Sequence, residues 1–200
     1  QYALEGSVFI AGAAIQWLRD SLKIIDKASD TEKISQKIPD LENIYVVPAF
    51  AGLGAPYWDM YSRGAIFGLT RDSGRGEIIK ATLESLAYQT KDVIDAMEED
   101  SNIKINSLKV DGGACMNNYL MQFQSDILNC EVTRPKIVES TAMGAGYLAG
   151  LKSDIWDISK IKSNQEIDST FSPQIKDERR NILYDGWRDA VKRTFNWVKK

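Results

Sequence analysis

This sequence predicts an α/β domain, in which strands and helices alternate along the chain. Three observations point there. Short β-rich runs, IYVVPAF (44–50), AIFGL (65–69), INSLKV (105–110) and EVTRP (131–135), are separated by longer stretches with an apolar residue every three or four positions. The first two runs are joined by a Gly/Pro/aromatic loop in the manner of a hairpin, and the later two are each followed by a helical pattern. Finally, 44% of the 200 residues are apolar and five are tryptophan, which supports a sizeable core.

The elements follow in order. Residues 7–26 read as a helix, because Ala11, Ile15, Leu18, Leu22 and Ile25 form one apolar stripe. Residues 27–43 are polar and contain Pro39, and read as a surface connection with room for a short helix. A strand over 44–50, the loop AGLGAPYWDMYSRG (51–64) and a strand over 65–69 make the hairpin-like start. A turn over 70–76 leads to a long helix over 77–98, with Ile79, Leu83, Leu86, Val93 and Met97 on one side. A strand (105–110), a helix (117–129) and a short strand ending at Pro135 come next. STAMGAGYLAGL (140–151) is a helix of small residues, expected to pack closely against its neighbours. Residues 152–172 read as loop-rich, and 173–198 as a last helix that buries Leu183, Trp187, Val191 and Phe195 or Val198.

Composition narrows the function. The net charge of −3, with acids and bases scattered and no basic stripe, is no footprint for nucleic acid. No run is apolar and long enough to span a bilayer, since VFIAGAAIQWLRDSLKII is broken by Arg19, Asp20 and Lys23. The absence of histidine excludes Ser-His-Asp and Cys-His catalysis within the chain, and every His-ligated metal site. Cys115 and Cys130 form no CxxC pair and read as reduced thiols of a cytoplasmic protein. The chain opens on Gln1 without a leader, and is expected to be a piece of something longer.

The chemistry gathers at VDGGACMNNYL (110–120), where a strand, two glycines and a helix follow one another. Glycine lets the backbone approach a ligand, and a helix start offers N–H groups to an anion. Asn117, four residues past Gly113, carries an amide that both donates and accepts. This suits a nucleotide; the plainer alternative is a tight turn whose glycines only serve positive φ. Gly12 and Gln16 place a second small residue and a second amide on one helix face, where a glycine costs about 1 kcal/mol relative to alanine and so has a packing or ligand reason. GAGYLA (144–149) matches a dinucleotide fingerprint, but no strand leads into it and close helix packing explains it better.

Several long stretches resemble the C-terminal half of the FGGY carbohydrate kinases. YALEGSVFIAGAAIQWLRD (2–20) is similar to the start of that family's C-terminal domain. VVPAFAGLGAPYWD (46–59) and RGAIFGLT (63–70) are most similar to its glycerol-phosphorylating members. GAIFGLTRDSGRGEIIKATLE (64–84) satisfies the family's C-terminal signature, through Gly64, Ile66, Gly68 and Leu69, a seven-residue gap, then Glu77, Ile78 and Ala81 to Glu84. VDGGACMNNYLMQFQSDIL (110–128) continues the likeness, which thins out after about residue 152.

The resemblance implies an actin-like ATPase, ribonuclease-H-like domain over residues 1–200, a mixed sheet flanked by helices. It implies transfer of the ATP γ-phosphate to glycerol with Mg²⁺, in a cytoplasmic homo-oligomer, dimer or tetramer. Gly12, Gln16, Gly113 and Asn117 then correspond to contacts with ATP or ADP. The N-terminal domain that supplies the catalytic aspartate, most of the glycerol pocket and the ligands of Mg²⁺ has no counterpart here, so no catalytic and no metal-ligating residue is assigned. Asp111 is expected to shape its turn and Asp59 to hold the aromatic loop. In some bacterial relatives a regulatory protein docks on a segment like 172–187 with a metal-binding glutamate where this chain has Arg179; Arg179 and Arg180 read instead as a solvated helix face. A kinase of the same family acting on a pentulose or gluconate, and a stand-alone nucleotide-binding module, are the alternative readings.

Overall fold

The structure is a computed structural model and describes residues 3–163 and 166–199; Tyr2, which opens the first family-like stretch, lies outside them. At its centre runs α3 (Arg75–Ser101), a helix of 27 residues. Its start is fixed by Glu77, whose carboxylate accepts from Gly74 N at 2.8 Å, and its end by Asn102 in the left-handed conformation. The expected apolar stripe is present, yet Lys80, Thr82, Glu84, Ser85 and Asp92 are buried as well. Other elements cover α3 on several sides, so its polar positions need partners inside the fold.

Those partners are specific. Lys80 Nζ donates to Ile38 O and Pro39 O at 2.9 and 3.1 Å. Asp92 accepts from Trp187 Nε1 (2.8 Å) and Tyr184 OH (2.7 Å), and burial pushes its carboxyl up to about 6. Glu84 accepts from Tyr119 OH at 2.5 Å, and desolvation pushes it up to about 7 against the lowering influence of that bond and of Lys80.

Two small sheets flank the helix. β1 (Tyr45–Val47) and β2 (Ala65–Phe67) form the expected antiparallel pair, with Val46 opposite Ile66. Gly68, just after β2, has φ +79°, and a Cβ there would sit 1.7 Å from Asn43 O, so only glycine fits. The second sheet is mixed. β3 (Ser107–Lys109) runs parallel to β4 (Glu131–Pro135), which is antiparallel to β5 (Ile167–Phe171). Between β3 and β4 the chain passes through a 3₁₀ turn (Gly113–Met116) and α4 (Asn118–Leu128). Ile15, Leu18, Ile79, Leu83, Leu120 and Val132 build one part of the core. Tyr88 stacks on Trp187 at 5.2 Å in another part, which anchors α7 (Asp177–Lys192) against α3.

Several expectations need correction. The helix foreseen over 7–26 is α1 (Gly12–Asp20) alone. Upstream, Gly6 lies against Val93 and Gln89 Nε2 takes the carbonyl of Ile10, so tertiary contacts hold that segment out of helix. Downstream, Lys23 at φ 56° turns the chain; of the expected stripe, Ala11 and Leu22 are exposed and Ile25 is buried. The connection over 27–43 does contain a short helix, α2 (Asp30–Ser35), but Thr31, Ser35 and Leu41 are buried rather than on the surface. The region read as loop-rich holds α6 (Ile158–Ser163) and β5. The last helix runs over Asp177–Lys192 only; turns follow, with Asn196 at φ 52°, and Phe195 and Val198 stay exposed.

The small-residue helix exists as α5 (Ser140–Lys152), but it does not pack closely. Only Gly150 is buried, and a Cβ on Gly144 or Gly146 would meet nothing within 4 Å. Arg179 and Arg180 are not a solvated face either. Arg180 is buried and donates to Asp126 O (2.5 Å) and Ile175 O (3.2 Å), and Arg179 donates to Leu41 O (3.0 Å), so both tie α7 to neighbouring segments. Asp59 does hold the aromatic loop: its carboxylate accepts from Tyr61 N, Ser62 Oγ and Asn196 N, which keep it below the usual carboxylate range. The side chain of Asp111 makes no hydrogen bond among the described residues and is exposed. Its turn is shaped instead by Gly112, at φ +76° with its N–H on Val138 O at 2.7 Å. Cys115 and Cys130 are free, and burial pushes both thiols up. Among the described residues no helix is long and apolar enough to cross a membrane.

Candidate functional site

Four parts of the chain converge on one cavity of about 330 Å³. Helix α1 contributes Gly12, Ile15, Gln16 and Arg19, whose spacing puts them on one face. The glycine turn and the start of α4 contribute Gly113, Ala114, Met116, Asn117 and Leu120. Leu83 and Leu86 of α3 line it too, and Ala28, Ser29, Thr31 and Glu32 form a wall from α2 and the residues before it. The cavity thus joins all four residues singled out in the sequence, two from each end of a hundred-residue separation.

Both glycines look into open space. Gly12 opens α1 instead of lying mid-helix, and neither Gly12 nor Gly113 has a positive φ. A Cβ on either would meet no atom within 4 Å. Backbone conformation and packing within this chain therefore give no reason for glycine at these two positions.

The two helix starts at the cavity differ. No side chain caps α1, and its first turn carries no acid. Side chains cap the start of α4: Asn117 Oδ1 accepts from Leu120 N at 2.9 Å and Glu32 Oε1 accepts from Asn118 N at 3.1 Å. A 3₁₀ turn also separates the glycines from α4, so the expected free N–H groups of that helix are not the ones on offer. An anion entering the cavity is favoured toward α1. Asn117 is less free than its sequence suggested, because Nδ2 also donates to Thr31 Oγ1 at 3.1 Å. From below, Arg134 donates to Cys115 O at 2.8 Å and to Asp168 Oδ2 at 2.8 Å, fixing the 3₁₀ turn to β4 and β5.

The cavity does not suit a hard divalent cation. Glu32 is the one carboxylate among its described lining residues, and it already accepts a backbone N–H. Among the described residues no three acidic, Cys or His side chains cluster as metal ligands. Sequence reasoning missed the α2 wall, although Ser29-Asp30-Thr31-Glu32 carries the small polar and acidic residues of a helix start.

The fold and this cavity have clear relatives. Residues 1–153 match the FGGY family of carbohydrate kinases, C-terminal domain. The chain belongs to that family. It is 59% identical over 201 residues to the glycerol kinase of Alkaliphilus oremlandii, covering 100% of this chain and 40% of that protein. Among solved structures, the glycerol kinase of Plasmodium falciparum with ADP superposes with a TM-score of 0.87 at 36% identity, over 94% of this chain and 38% of that one. A xylulose kinase from Lactobacillus acidophilus gives 0.75 at 24% identity, over 94% and 39%, a likeness of fold alone. The architecture is the actin-like ATPase fold of these kinases. The chain spans about 40% of the length of the curated relatives it matches.

Proposed function

We propose that this chain forms the nucleotide-binding side of an ATP-dependent kinase that transfers the γ-phosphate of ATP to glycerol, giving glycerol 3-phosphate. The observation that carries the reading is the cavity onto which Gly12 and Gly113 open without any need of backbone or packing, beside Gln16 and Asn117. The high identity to a glycerol kinase, and the ADP in the Plasmodium relative, support the acceptor and the nucleotide. In this reading Gly113 and Asn117 meet the adenosine part, and Gly12 and Gln16 the phosphate side, where the uncapped start of α1 favours negative charge. Phosphoryl transfer rests on positioning and charge stabilisation, and this cavity supplies one wall of that apparatus. Mg²⁺ would neutralise the phosphates from a site this cavity does not provide. No general base is assigned: the Asp59 carboxylate is held by Tyr61 N and Ser62 Oγ of the aromatic loop and by Asn196 N, and Asp111 lies outside the cavity lining. Alone, the chain should bind nucleotide weakly and show negligible kinase activity.

Titration of ADP into the chain, followed by backbone and side-chain amide NMR shifts, tests the assignment. Shifts centred on Gly12, Gln16, Gly113 and Asn117 are expected by millimolar ADP. Shifts centred elsewhere would sink it.

A further inference from the structure

We propose that Thr31 is a positioning residue of the nucleotide site, which together with the Leu120 N–H holds the orientation of the Asn117 amide, from the α2 wall. The inference rests on the nucleotide reading of the cavity. Thr31 is buried to 1% exposure, and its hydroxyl is spoken for on both sides. Thr31 Oγ1 donates its single proton to Ala28 O at 2.7 Å, which leaves only lone pairs toward Asn117 Nδ2, 3.1 Å away. That acceptor tells the two ends of the amide apart. With Nδ2 held by Thr31 and Oδ1 held by Leu120 N at 2.9 Å, a flipped carboxamide would set a donor against a donor at one end and an acceptor against an acceptor at the other. One Nδ2 hydrogen and one Oδ1 lone pair remain for a ligand, in a fixed direction.

The next residue reinforces the link. Glu32 Oε1 takes the N–H of Asn118, so α2 grips the start of α4 at two consecutive positions, and both Thr31 and Glu32 line the cavity. A valine at position 31 would keep the shape and lose the acceptor, leaving the Leu120 N–H as the one partner that still holds the amide. The pre-set orientation that a ligand would otherwise have to impose is then weakened.

The test is ADP titration into the chain carrying Thr31→Val, Thr31→Ser, Asn117→Ala, or Thr31→Val with Asn117→Ala, with a urea midpoint for each. Thr31→Ser should bind within about twofold of the unaltered chain, because it keeps the hydroxyl. Thr31→Val and Asn117→Ala should each raise the Kd roughly five- to tenfold, the scale of one hydrogen bond. The double variant should bind no more weakly than Asn117→Ala, since Thr31 acts through that amide. If Thr31→Val does not fold, Thr31→Ala removes the same acceptor and carries the same expectation. Unchanged binding in the Thr31 variants while Asn117→Ala weakens it, or fully additive losses in the double variant, would overturn the positioning role alone. Unchanged binding in Asn117→Ala would remove the nucleotide reading of Asn117 and the inference with it.

Discussion

With Gly113 replaced by valine, the chain should fold as before and bind ADP at least about tenfold more weakly, a loss of roughly 1.4 kcal/mol or more. The two halves of this expectation have separate causes. Folding is indifferent because Gly113 has no positive φ and a Cβ there would meet nothing within 4 Å. A substitution of that kind shifts stability by about 0.5 kcal/mol or less. Binding should suffer because Gly113 lines the cavity, and the added methyl groups would take up open space that the nucleotide reading gives to the ligand. The neighbouring glycine gives the contrast. Gly112 sits at φ +76° and ψ 175°, a region that essentially only glycine enters, so Gly112→Val should cost roughly 1–3 kcal/mol of stability through backbone strain. Urea midpoints and ADP titrations on both variants separate the effects. A Gly113→Val chain that binds ADP like the unaltered one would show that the ligand does not approach this turn.

The second large effect is on stability against pH, and it comes from Glu84. Burial raises its carboxyl from an ordinary 4.5 to about 7. Between those values the folded chain holds a proton that the unfolded chain has released, so stability falls as pH rises through that window. The raised value corresponds to about 3 kcal/mol, fully present below pH 4.5 and gone above about 7. Glu84→Gln carries no such charge and can still accept from Tyr119 OH. Measured by urea unfolding from pH 4.5 to 8, the stability of this variant relative to the unaltered chain should therefore improve by about 3 kcal/mol. Asp92, raised to about 6, titrates in both proteins with the same sign and cancels in the comparison. A difference that stays flat across the range would mean that Glu84 is ionised in the fold throughout.

Much of the candidate cavity lining was legible because glycine and amide residues announce themselves locally. Gly12, Gln16, Gly113 and Asn117 could be picked by residue type and spacing, and the strands around them by β-rich runs. Their meeting in one cavity was not legible, since it depends on how α1 and α4 both lean on α3. The α2 wall was hidden for a related reason: Thr31 and Glu32 sit in a polar stretch, and a polar residue shows its burial only through a partner eighty-six residues away in the chain, as Thr31 does with Asn117. Arg180 was misread in the same way, because an arginine whose head meets the backbone carbonyls of Asp126 and Ile175 looks, in sequence, like any solvated arginine. β5 was missed because IDSTF shows little apolar alternation, its residues being exposed or only partly buried.

Helix α5 shows the opposite error, a stretch apolar enough to suggest close packing that buries only Gly150, beneath the Trp156 ring. Three of its thirteen residues are glycine, and each weakens a helix by about 1 kcal/mol relative to alanine. A helix with so little buried surface has almost nothing to offset that weakness, because helices in water are held mainly by the face they bury. In the isolated chain this segment should open and close while the rest stays folded, so its amide protons exchange early. A protease that cuts after Tyr147 or Lys152 should find its first foothold there.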